Sequence, residues 1–331
     1  MFCLFQPLNP GKGAKVEKMD QSESVLLPQS AALAASKEKG KTYPAVIVGA
    51  GPGGIAASIY LKRAGMEPLV FERDEIGGLL RNAHLIENYP GFPEGISGQE
   101  LVELFRRQLV RWRIDMRMEE VHKVSRDGEV FKVAAETGDL YARSVIVATG
   151  TRPKRIEIEG LEDVELSRVF YEVRDIPLTG TGNFLIVGGG DTAFDYALNL
   201  AERGFYVDIV HRGQEPKCIP LLAERANRSE RIRTHSDTEP KLVKEEDRQL
   251  VFAVDRKGAE KEMVADYGLI ACGREAELGV LPPEFVDNWK EIPGLYVVGD
   301  ARRGNYRQVG ISVGDGILAA MSVIESLEAE E

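Results

Sequence analysis

A ten-residue segment occurs twice in this chain, and each copy joins an apolar run to a glycine-rich turn. Residues 45–54 read AVIVGAGPGG, and residues 184–193 read FLIVGGGDTA. A shift of 139 positions places Gly49 on Gly188, and the register then continues without a gap for over twenty residues. Such self-similarity predicts that one structural unit is present twice.

Each copy has the parts of a βαβ unit that binds a dinucleotide. The apolar run predicts a buried strand, the turn precedes a helical pattern, and a second strand follows at residues 68–72 or 207–211. The glycines allow a tight bend and let a pyrophosphate approach the N-terminus of the helix. The turn residues expected to contact cofactors are Gly49, Gly51, Pro52, Gly53 and Gly54 in the first copy and Gly188, Gly190, Asp191, Thr192 and Ala193 in the second.

The residues that end the second strands distinguish the two predicted sites. Glu72, followed by Arg73, ends the first, and a carboxylate there accepts hydrogen bonds from the ribose of an unphosphorylated adenosine. His211 and Arg212 take this place in the second copy, and Lys217 follows them. Cations instead of an acid favour the 2′-phosphate of NADPH. The alternative is that Arg212 is an ordinary surface charge.

Composition limits the classes of function. The 42 Lys and Arg residues against 53 Asp and Glu give a net charge of −11, so we expect no nucleic-acid or membrane binding. The uncharged residues 42–61 contain the glycine turn and do not form a continuous apolar span, and residues 1–5 are too short for a secretory signal. Three cysteines without a CxxC pair indicate a reducing cytoplasm, and the histidines form no HxxxH metal motif.

Three further segments complete a family pattern: residues 86–91 (IENYPG), residues 148–150 (ATG) and residues 294–300 (GLYVVGD). We call the repeated segments at residues 45–54 and 184–193 the first and the second fingerprint. With the two fingerprints and these segments in this order, the chain resembles the thioredoxin-reductase-like class of flavoprotein pyridine-nucleotide oxidoreductases over about residues 44 to 327. The resemblance implies an α/β fold of two Rossmann-like nucleotide-binding domains. It places a discontinuous FAD domain at residues 44–152 and 277–331 and an inserted NAD(P)H domain at 153–276. Residues 1–43 lack sustained periodicity, and their mixed polar composition predicts a flexible N-terminal extension.

The resemblance also implies which residues bind the cofactors, FAD at the first fingerprint and NADPH at the second, with NADH possible because Gly213 replaces a frequent arginine. Further expected cofactor contacts are Gly77, Gly78, Asn88, Ala148, Thr149, Gly150, Gly299, Asp300, Arg307, Gln308 and Val309. The last three are expected to open a helix whose N-terminus stabilises reduced, anionic flavin. Hydride transfer then needs no catalytic acid or base from the protein and no metal. The alternatives are a turn role for Asn88 and a helix cap for Asp300.

One part of the family pattern is missing. Thioredoxin reductases carry a CxxC before the second fingerprint, but the aligned positions here hold Glu172 and Asp175, and carboxylates cannot perform thiol exchange. We therefore predict an FAD-dependent NAD(P)H oxidoreductase with a non-dithiol acceptor. The alternatives are a ferredoxin/flavodoxin–NADP reductase, which also lacks the CxxC, and a non-catalytic flavin- or nucleotide-binding sensor or subunit. Cys272 is expected in a buried strand, and Cys218 stands alone in the cofactor loop.

Surface charge and the resemblance bear on partners. A run of cations with only Asp115 opposing it consists of Arg106, Arg107, Arg111, Arg113 and Arg117. Such a patch would dock an acidic carrier such as ferredoxin or flavodoxin, and the alternative is a solvated helix end. The resemblance further implies a cytoplasmic homodimer that uses NAD(P)H and an electron acceptor not yet identified.

Overall fold

The computed structural model describes residues 41–164, 168–176 and 181–329, and within them it contains seventeen strands and six α-helices. The strands are β1 (Thr42–Val48), β2 (Leu69–Glu72), β3 (Asp115–Met118), β4 (Val121–Asp127), β5 (Val130–Ala135), β6 (Gly138–Val147), β7 (Thr151–Pro153), β8 (Val169–Phe170), β9 (Asn183–Val187), β10 (Tyr206–Val210), β11 (Ile232–His235), β12 (Thr238–Glu246), β13 (Gln249–Arg256), β14 (Ala259–Ala265), β15 (Tyr267–Ile270), β16 (Arg274–Ala276) and β17 (Leu295–Val297). The helices are α1 (Pro52–Arg63), α2 (Gly98–Arg111), α3 (Asp191–Glu202), α4 (Pro220–Arg228), α5 (Pro283–Asn288) and α6 (Val309–Glu328).

The first sheet has seven strands in the order β3-β2-β1-β6-β5-β4, with β17 also paired to β6. β3, β2, β1, β6 and β17 run parallel, whereas β4, β5 and β6 form an antiparallel meander. Val48 pairs with both Phe71 and Val147, so β1, β2 and β6 end at one edge of the sheet. Because both faces are covered, the β1 side chains of residues 45–47 are fully buried, which explains their unbroken apolar run.

The second sheet repeats this arrangement with five parallel strands in the order β11-β10-β9-β15-β8. Here Val187 of β9 pairs with Val210 and Ile270, so the strands again end at a common edge. The antiparallel strands β12, β13 and β14 pack against this sheet through Leu250 and Phe252. The sequence repeat is therefore a structural repeat, in which β9–α3–β10 corresponds to β1–α1–β2.

Two short strands connect the parts of the chain around the two sheets. β7 pairs antiparallel with β16, joining Thr151 to Ala276 and Pro153 to Arg274. We call residues 41–150 and 277–329 the first half and residues 154–273 the second half. β1 begins at Thr42 and Tyr43 is buried, so the first sheet starts inside the predicted extension of residues 1–43. Residues 1–40 of that extension lie outside the described chain.

Helices α1 and α6 pack closely on one face of the first sheet. A Cβ added to Gly316 of α6 would overlap the backbone carbonyl of Gly53 in α1, so the helices meet backbone to backbone. Among the described residues, α6 is the one helix whose length and composition would suffice for a membrane span. In the structure its Ala320 and Val323 are fully buried in the core of the first half. The α/β fold with two Rossmann-like units is as predicted.

Candidate functional site

A cavity of about 830 Å³ opens where β1, β2 and β6 end, and it extends to the start of α3 in the second half. Its wall contains most of the predicted cofactor residues, namely Gly49, Gly51, Pro52, Gly53, Glu72, Arg73, Gly78, Asn88, Ala148, Thr149, Gly150, Asp191, Thr192, Gly299, Asp300, Arg307, Gln308 and Val309. The predicted residues outside this wall are Gly54, Gly77, Gly188, Gly190, Ala193, His211, Arg212 and Lys217.

The first fingerprint combines tight packing with one open position. Gly49 has a φ of +107°, and an added Cβ would overlap the Ala148 carbonyl. A Cβ on Gly54 would overlap the Gly49 carbonyl, so Gly54 allows α1 to pack on its strand and does not face the cavity. In contrast, a Cβ on Gly51 would meet nothing within 4 Å. Gly51 precedes α1 and gives it no side-chain cap, so amide groups at the start of α1 remain available to a phosphate.

Glu72 is held at the cavity by backbone amides. Its Oε2 accepts a hydrogen bond from the Ala50 amide at 2.7 Å, and its Oε1 accepts one from the Asp74 amide at 3.0 Å. Each carboxylate oxygen has a second lone pair, which remains available for a ribose hydroxyl. Gly77 lies against the Val102 side chain and not in the cavity wall.

Asp300 and the start of α6 form another part of the wall. Burial raises the pKa of Asp300, although its Oδ1 accepts a hydrogen bond from the Ser312 hydroxyl at 3.1 Å and the charges of Arg307 and Arg274 oppose the shift. α6 begins at Val309 with no side-chain cap from Gln308, whose Oε1 accepts a hydrogen bond from Asn88 Nδ2 at 2.8 Å. The uncapped N-terminus of α6 therefore adjoins the cavity, as the sequence predicts for a site that stabilises an anion.

The second fingerprint has the same construction and reaches the same cavity. A Cβ on Gly188 would overlap the Ala271 carbonyl, just as Gly49 approaches Ala148 in the first copy, whereas Gly190 has open space around its Cβ. Asp191 begins α3, and its Oδ1 accepts a hydrogen bond from the Ile219 amide at 2.8 Å. Because Asp191 and Thr192 lie in the cavity wall, one space connects the starts of α1 and α3.

The predicted cations beside the second fingerprint differ in their surroundings. His211 is 6% exposed, its Nε2 is buried without a hydrogen-bond partner, and burial lowers its pKa. The buried ring of His211 thus disfavours the protonated form, so this side chain is less suited than Arg212 to supply the expected positive charge. Arg212 and Lys217 are both exposed, and the Lys217 amide donates to the Gly189 carbonyl at 2.7 Å. These two side chains are therefore the exposed cations beside the second fingerprint.

Glu172 and Asp175, which the sequence predicts at the positions of the family cysteines, have different environments. Glu172 is 7% exposed and accepts hydrogen bonds from Asn82 Nδ2 at 2.8 Å, the Tyr196 hydroxyl at 2.7 Å and Arg274 Nη1 at 2.6 Å. Asp175 is exposed. Burial, together with the nearby carboxylate of Glu172, holds the pKa of Tyr196 well above its ordinary value. A buried ion-paired cluster therefore occupies this position.

The two cysteines among the described residues are free. Cys272 follows β15 instead of lying in it and is exposed, so the expectation of a buried strand position is wrong. Although Cys272 as a residue is exposed, protein atoms around its sulfur keep water from the thiol, and this desolvation raises its pKa to about 11. Burial also raises the pKa of Cys218. Neither thiol is poised as a thiolate at neutral pH.

The predicted arginine patch is smaller than expected. The Arg117 side chain is only 12% exposed, lies 3.8 Å from Glu119 and packs over the Phe71 ring. Arg107, Arg111 and Arg113 are exposed. Among the described residues there is also no group of three or more His, Cys, Asp or Glu side chains that could hold a metal ion.

Several cavity residues were not found from the sequence. Glu119, Glu120, Asn82, Tyr196 and Arg274 all lie in the wall, and none belongs to a fingerprint. The Glu119 carboxylate accepts a hydrogen bond from the Thr137 amide at 2.9 Å, which joins the turn between β3 and β4 to the turn between β5 and β6. Of these five residues, Arg274 is the one that the sequence could have pointed to, because it directly follows Gly273 shortly after β15.

Comparison with known proteins gives the family. The sequence pattern of the family described as pyridine nucleotide-disulphide oxidoreductase matches residues 43–316. Thioredoxin reductase from Mycolicibacterium smegmatis is 31% identical over an alignment of 307 positions, and the alignment covers 84% of this chain and 94% of that protein. The Bacillus subtilis thioredoxin reductase is 31% identical over 304 residues, covering 87% and 96%. Among solved structures, Lactococcus lactis thioredoxin reductase in its FR conformation has a TM-score of 0.78 at 29% identity and covers 86% of this chain and 98% of its own.

These matches extend over both fingerprints and the cavity between them. The cofactors of this family are FAD and NADPH, as the fingerprints predict, and the uncapped start of α1, Glu72 and the start of α6 fit the first of them. This chain belongs to the pyridine nucleotide-disulphide oxidoreductase family and is a thioredoxin-reductase-like flavoprotein oxidoreductase.

Proposed function

We propose that this protein transfers hydride from NADPH to FAD and then passes electrons to an acceptor without a dithiol of its own. The observation that carries the proposal is the presence of a buried, ion-paired carboxylate, that of Glu172. It stands where the family has the first cysteine of its CxxC and is bound by Asn82, Tyr196 and Arg274. No second cysteine is near enough in sequence to restore a CxxC, because the three cysteines are at positions 3, 218 and 272.

The chain's own residues have binding and electrostatic roles in this scheme. The start of α1 at Gly51 would bind the FAD pyrophosphate, and Glu72 would bind the adenosine ribose. The start of α3 would bind the NADPH pyrophosphate, with Arg212 and Lys217 at the 2′-phosphate. Bound flavin supplies the capacity to accept two electrons as hydride and release them singly or together. The start of α6, beside Asp300, would stabilise negative charge at the flavin.

The division into domains is part of the same proposal. Residues 44–152 and 277–331 would bind FAD, and residues 153–276 would bind NADPH. The boundaries near residues 152 and 276 are supported by β7 and β16, which connect the two halves.

Thioredoxin is the second candidate for the acceptor. The named relatives in Mycolicibacterium smegmatis and Bacillus subtilis are thioredoxin reductases, which favours a protein disulfide as the substrate. With no CxxC here, a thioredoxin disulfide would have to meet the flavin directly or through a single thiol. The comparisons give no support to ferredoxin or flavodoxin, and the exposed arginines of α2 are insufficient to favour either carrier.

Anaerobic reduction followed by oxidation tests the proposal. NADPH should bleach the flavin absorbance, whereas a non-catalytic sensor or subunit would keep its flavin oxidised. The reduced protein should then be mixed with oxidised thioredoxin, ferredoxin, flavodoxin, a quinone and ferricyanide. Fast reoxidation by a one-electron acceptor but not by thioredoxin supports a non-dithiol acceptor. Fast reoxidation by thioredoxin would contradict it.

A further inference from the structure

A row of polar contacts joins the two halves of the protein beside the cavity. Four residues of the first half take part, all in the segment that follows β2: Asp74, Asn82, His84 and Glu87. Their partners in the second half are Glu172, Arg174, Asp195, Glu202 and Arg225. We call these nine residues the polar seam.

The buried end of the polar seam is centred on Asn82. Its Nδ2 donates to Glu172 at 2.8 Å, and its Oδ1 accepts from the Arg174 amide at 3.2 Å. Arg174 Nη2 then reaches Asp74 at 2.7 Å. Asn82 is 3% exposed, so loss of these partners would leave buried polar groups unpaired.

The outer end of the polar seam is an ion pair at the surface. Arg225 Nη1 and Nη2 donate to the two carboxylate oxygens of Glu87 at 2.6 and 2.9 Å. This two-point contact lowers the pKa of Glu87, so the carboxylate is charged at neutral pH. Such a paired geometry fixes direction as well as distance between the groups. The pair therefore orients α4 relative to the first half.

Between these ends, the polar seam holds helix α3. The Asp195 Oδ2 accepts a hydrogen bond from the His84 amide at 3.0 Å, and His84 Nδ1 lies 3.4 Å from Glu202. Asp195 is one helical turn after Asp191, which begins α3 at the second fingerprint and lines the cavity. A contact at Asp195 thus fixes the start of α3, where Thr192 lies next to Asp191 in the cavity wall.

We propose that the polar seam is a positioning device that holds the second fingerprint against the cavity and so places NADPH within reach of the flavin. This rests on the proposed function. The chain connections at β7 and β16 do not by themselves fix this placement, because they form a two-stranded ribbon of three residues each. The nine residues of the polar seam supply the additional fixed points.

Charge reversal at the exposed pair tests the device without disturbing a buried group. Glu87→Arg places two cations together, and Arg225→Glu places two anions together, whereas the double variant restores an opposite-charge pair. The matched control is Glu246→Arg, which makes the same charge change at an exposed ion pair with Lys244 within the second half. Neither Glu246 nor Lys244 adjoins the cavity, whereas Glu87 lies in its wall; Arg225 does not, so Arg225→Glu separates loss of the ion pair from a direct effect on the cavity.

Two readouts are needed for these four variants. One is the rate of flavin reduction at saturating NADPH, measured by anaerobic rapid mixing. The other is the small-angle X-ray scattering profile of the FAD-bound protein without NADPH. Each single reversal should slow reduction about three- to tenfold, since it removes an opposite-charge pair at the surface and puts repulsion in its place. Each single reversal should also increase the radius of gyration obtained from scattering. The double variant should recover the wild-type rate and radius, and the control should change neither quantity.

The outcomes separate this inference from the proposed function. If wild type is reduced by NADPH and the single variants match it in rate and in scattering, the polar seam does not position the second fingerprint. A loss that the double variant fails to recover would also overturn the inference, because it would reflect something other than the pair. If NADPH does not reduce the wild type, the proposed function fails, and the scattering profiles still report whether the seam holds the halves together.

Discussion

We expect each half to select its nucleotide through side chains at or just after the end of its second strand, namely Glu72 after β1–α1 and Arg212 after β9–α3. Glu72 could be predicted from the sequence, because the repeat fixes its place at the end of β2 and the carboxylate chemistry follows from that place. Glu172 and Arg274 could not, because their contact at 2.6 Å joins positions 102 residues apart in the chain. His211 shows a third case, since its residue type suggested a cation, whereas burial in the structure lowers its pKa and disfavours the charged ring.

Coenzyme preference should depend on Arg212. Hydrogen bonds to a charged group contribute about 1.5–3 kcal/mol, so Arg212→Ala should weaken the use of NADPH about ten- to a hundredfold. NADH has no 2′-phosphate and should be almost unaffected. Rates of flavin reduction with both coenzymes, for wild type and variant, measure the difference. Equal losses with both coenzymes would show that Arg212 has a structural role, and a wild type that prefers NADH would contradict the predicted site.

The two open glycines should separate the two cofactors. Gly51 and Gly190 both precede a helix, and an added Cβ meets no protein atom within 4 Å at either position. Gly51→Leu should therefore fold but lose FAD, because the side chain occupies the approach of the pyrophosphate. Gly190→Leu should keep its FAD and lose reduction by NADPH. Flavin content after extraction and the rate of bleaching test the pair, and loss of FAD from Gly190→Leu would contradict it.

At the scale of elements, the sequence predicted what is periodic and local. β1, β2, β9, β10 and β17 lie where the apolar runs placed them, and α6 begins at Val309 as expected. The early start of β1 at Thr42 and the exposed position of Cys272 were not predicted, because strand ends depend on pairing partners more than on local composition. The close approach of α1 and α6 was also not predicted, because it joins segments far apart in the sequence and is seen only in the structure.

Packing of α6 on α1 should depend on one glycine. A Cβ at Gly316 would overlap the Gly53 carbonyl, whereas a Cβ at Gly314, one half-turn earlier, meets nothing within 4 Å. Gly316→Ala should therefore destabilise the protein by about 1–3 kcal/mol, as overpacking of a core does. Gly314→Ala should be neutral or stabilising by up to about 1 kcal/mol, because alanine favours a helix more than glycine. Thermal unfolding of both FAD-saturated variants provides the comparison, and equal midpoints would contradict the packing argument.

The assembly of whole molecules is the least accessible from the sequence. The homodimer and the cytoplasmic location stay predictions from the resemblance. α6 presents Leu318 and Met321 at 56% and 42% exposure, on the side opposite its buried Ala320 and Val323. We expect these apolar side chains to lie in the dimer interface, so Leu318→Glu with Met321→Glu should give monomers. Light scattering on wild type and variant measures the mass, and a dimeric variant or a monomeric wild type would contradict this expectation.

The route of electrons through the whole molecule should be independent of sulfur. The protein contains three cysteines, so a variant with Cys3→Ser, Cys218→Ser and Cys272→Ser has no thiol. If flavin passes electrons directly to the acceptor, this variant should bind FAD and be reduced by NADPH at about the wild-type rate. Its reoxidation by the preferred acceptor should also stay within about twofold, since the raised pKa values of Cys218 and Cys272 make neither thiol a ready nucleophile. A variant that is reduced normally but no longer reoxidised by that acceptor would show that a thiol carries the electrons. The single variants would then identify which cysteine is responsible.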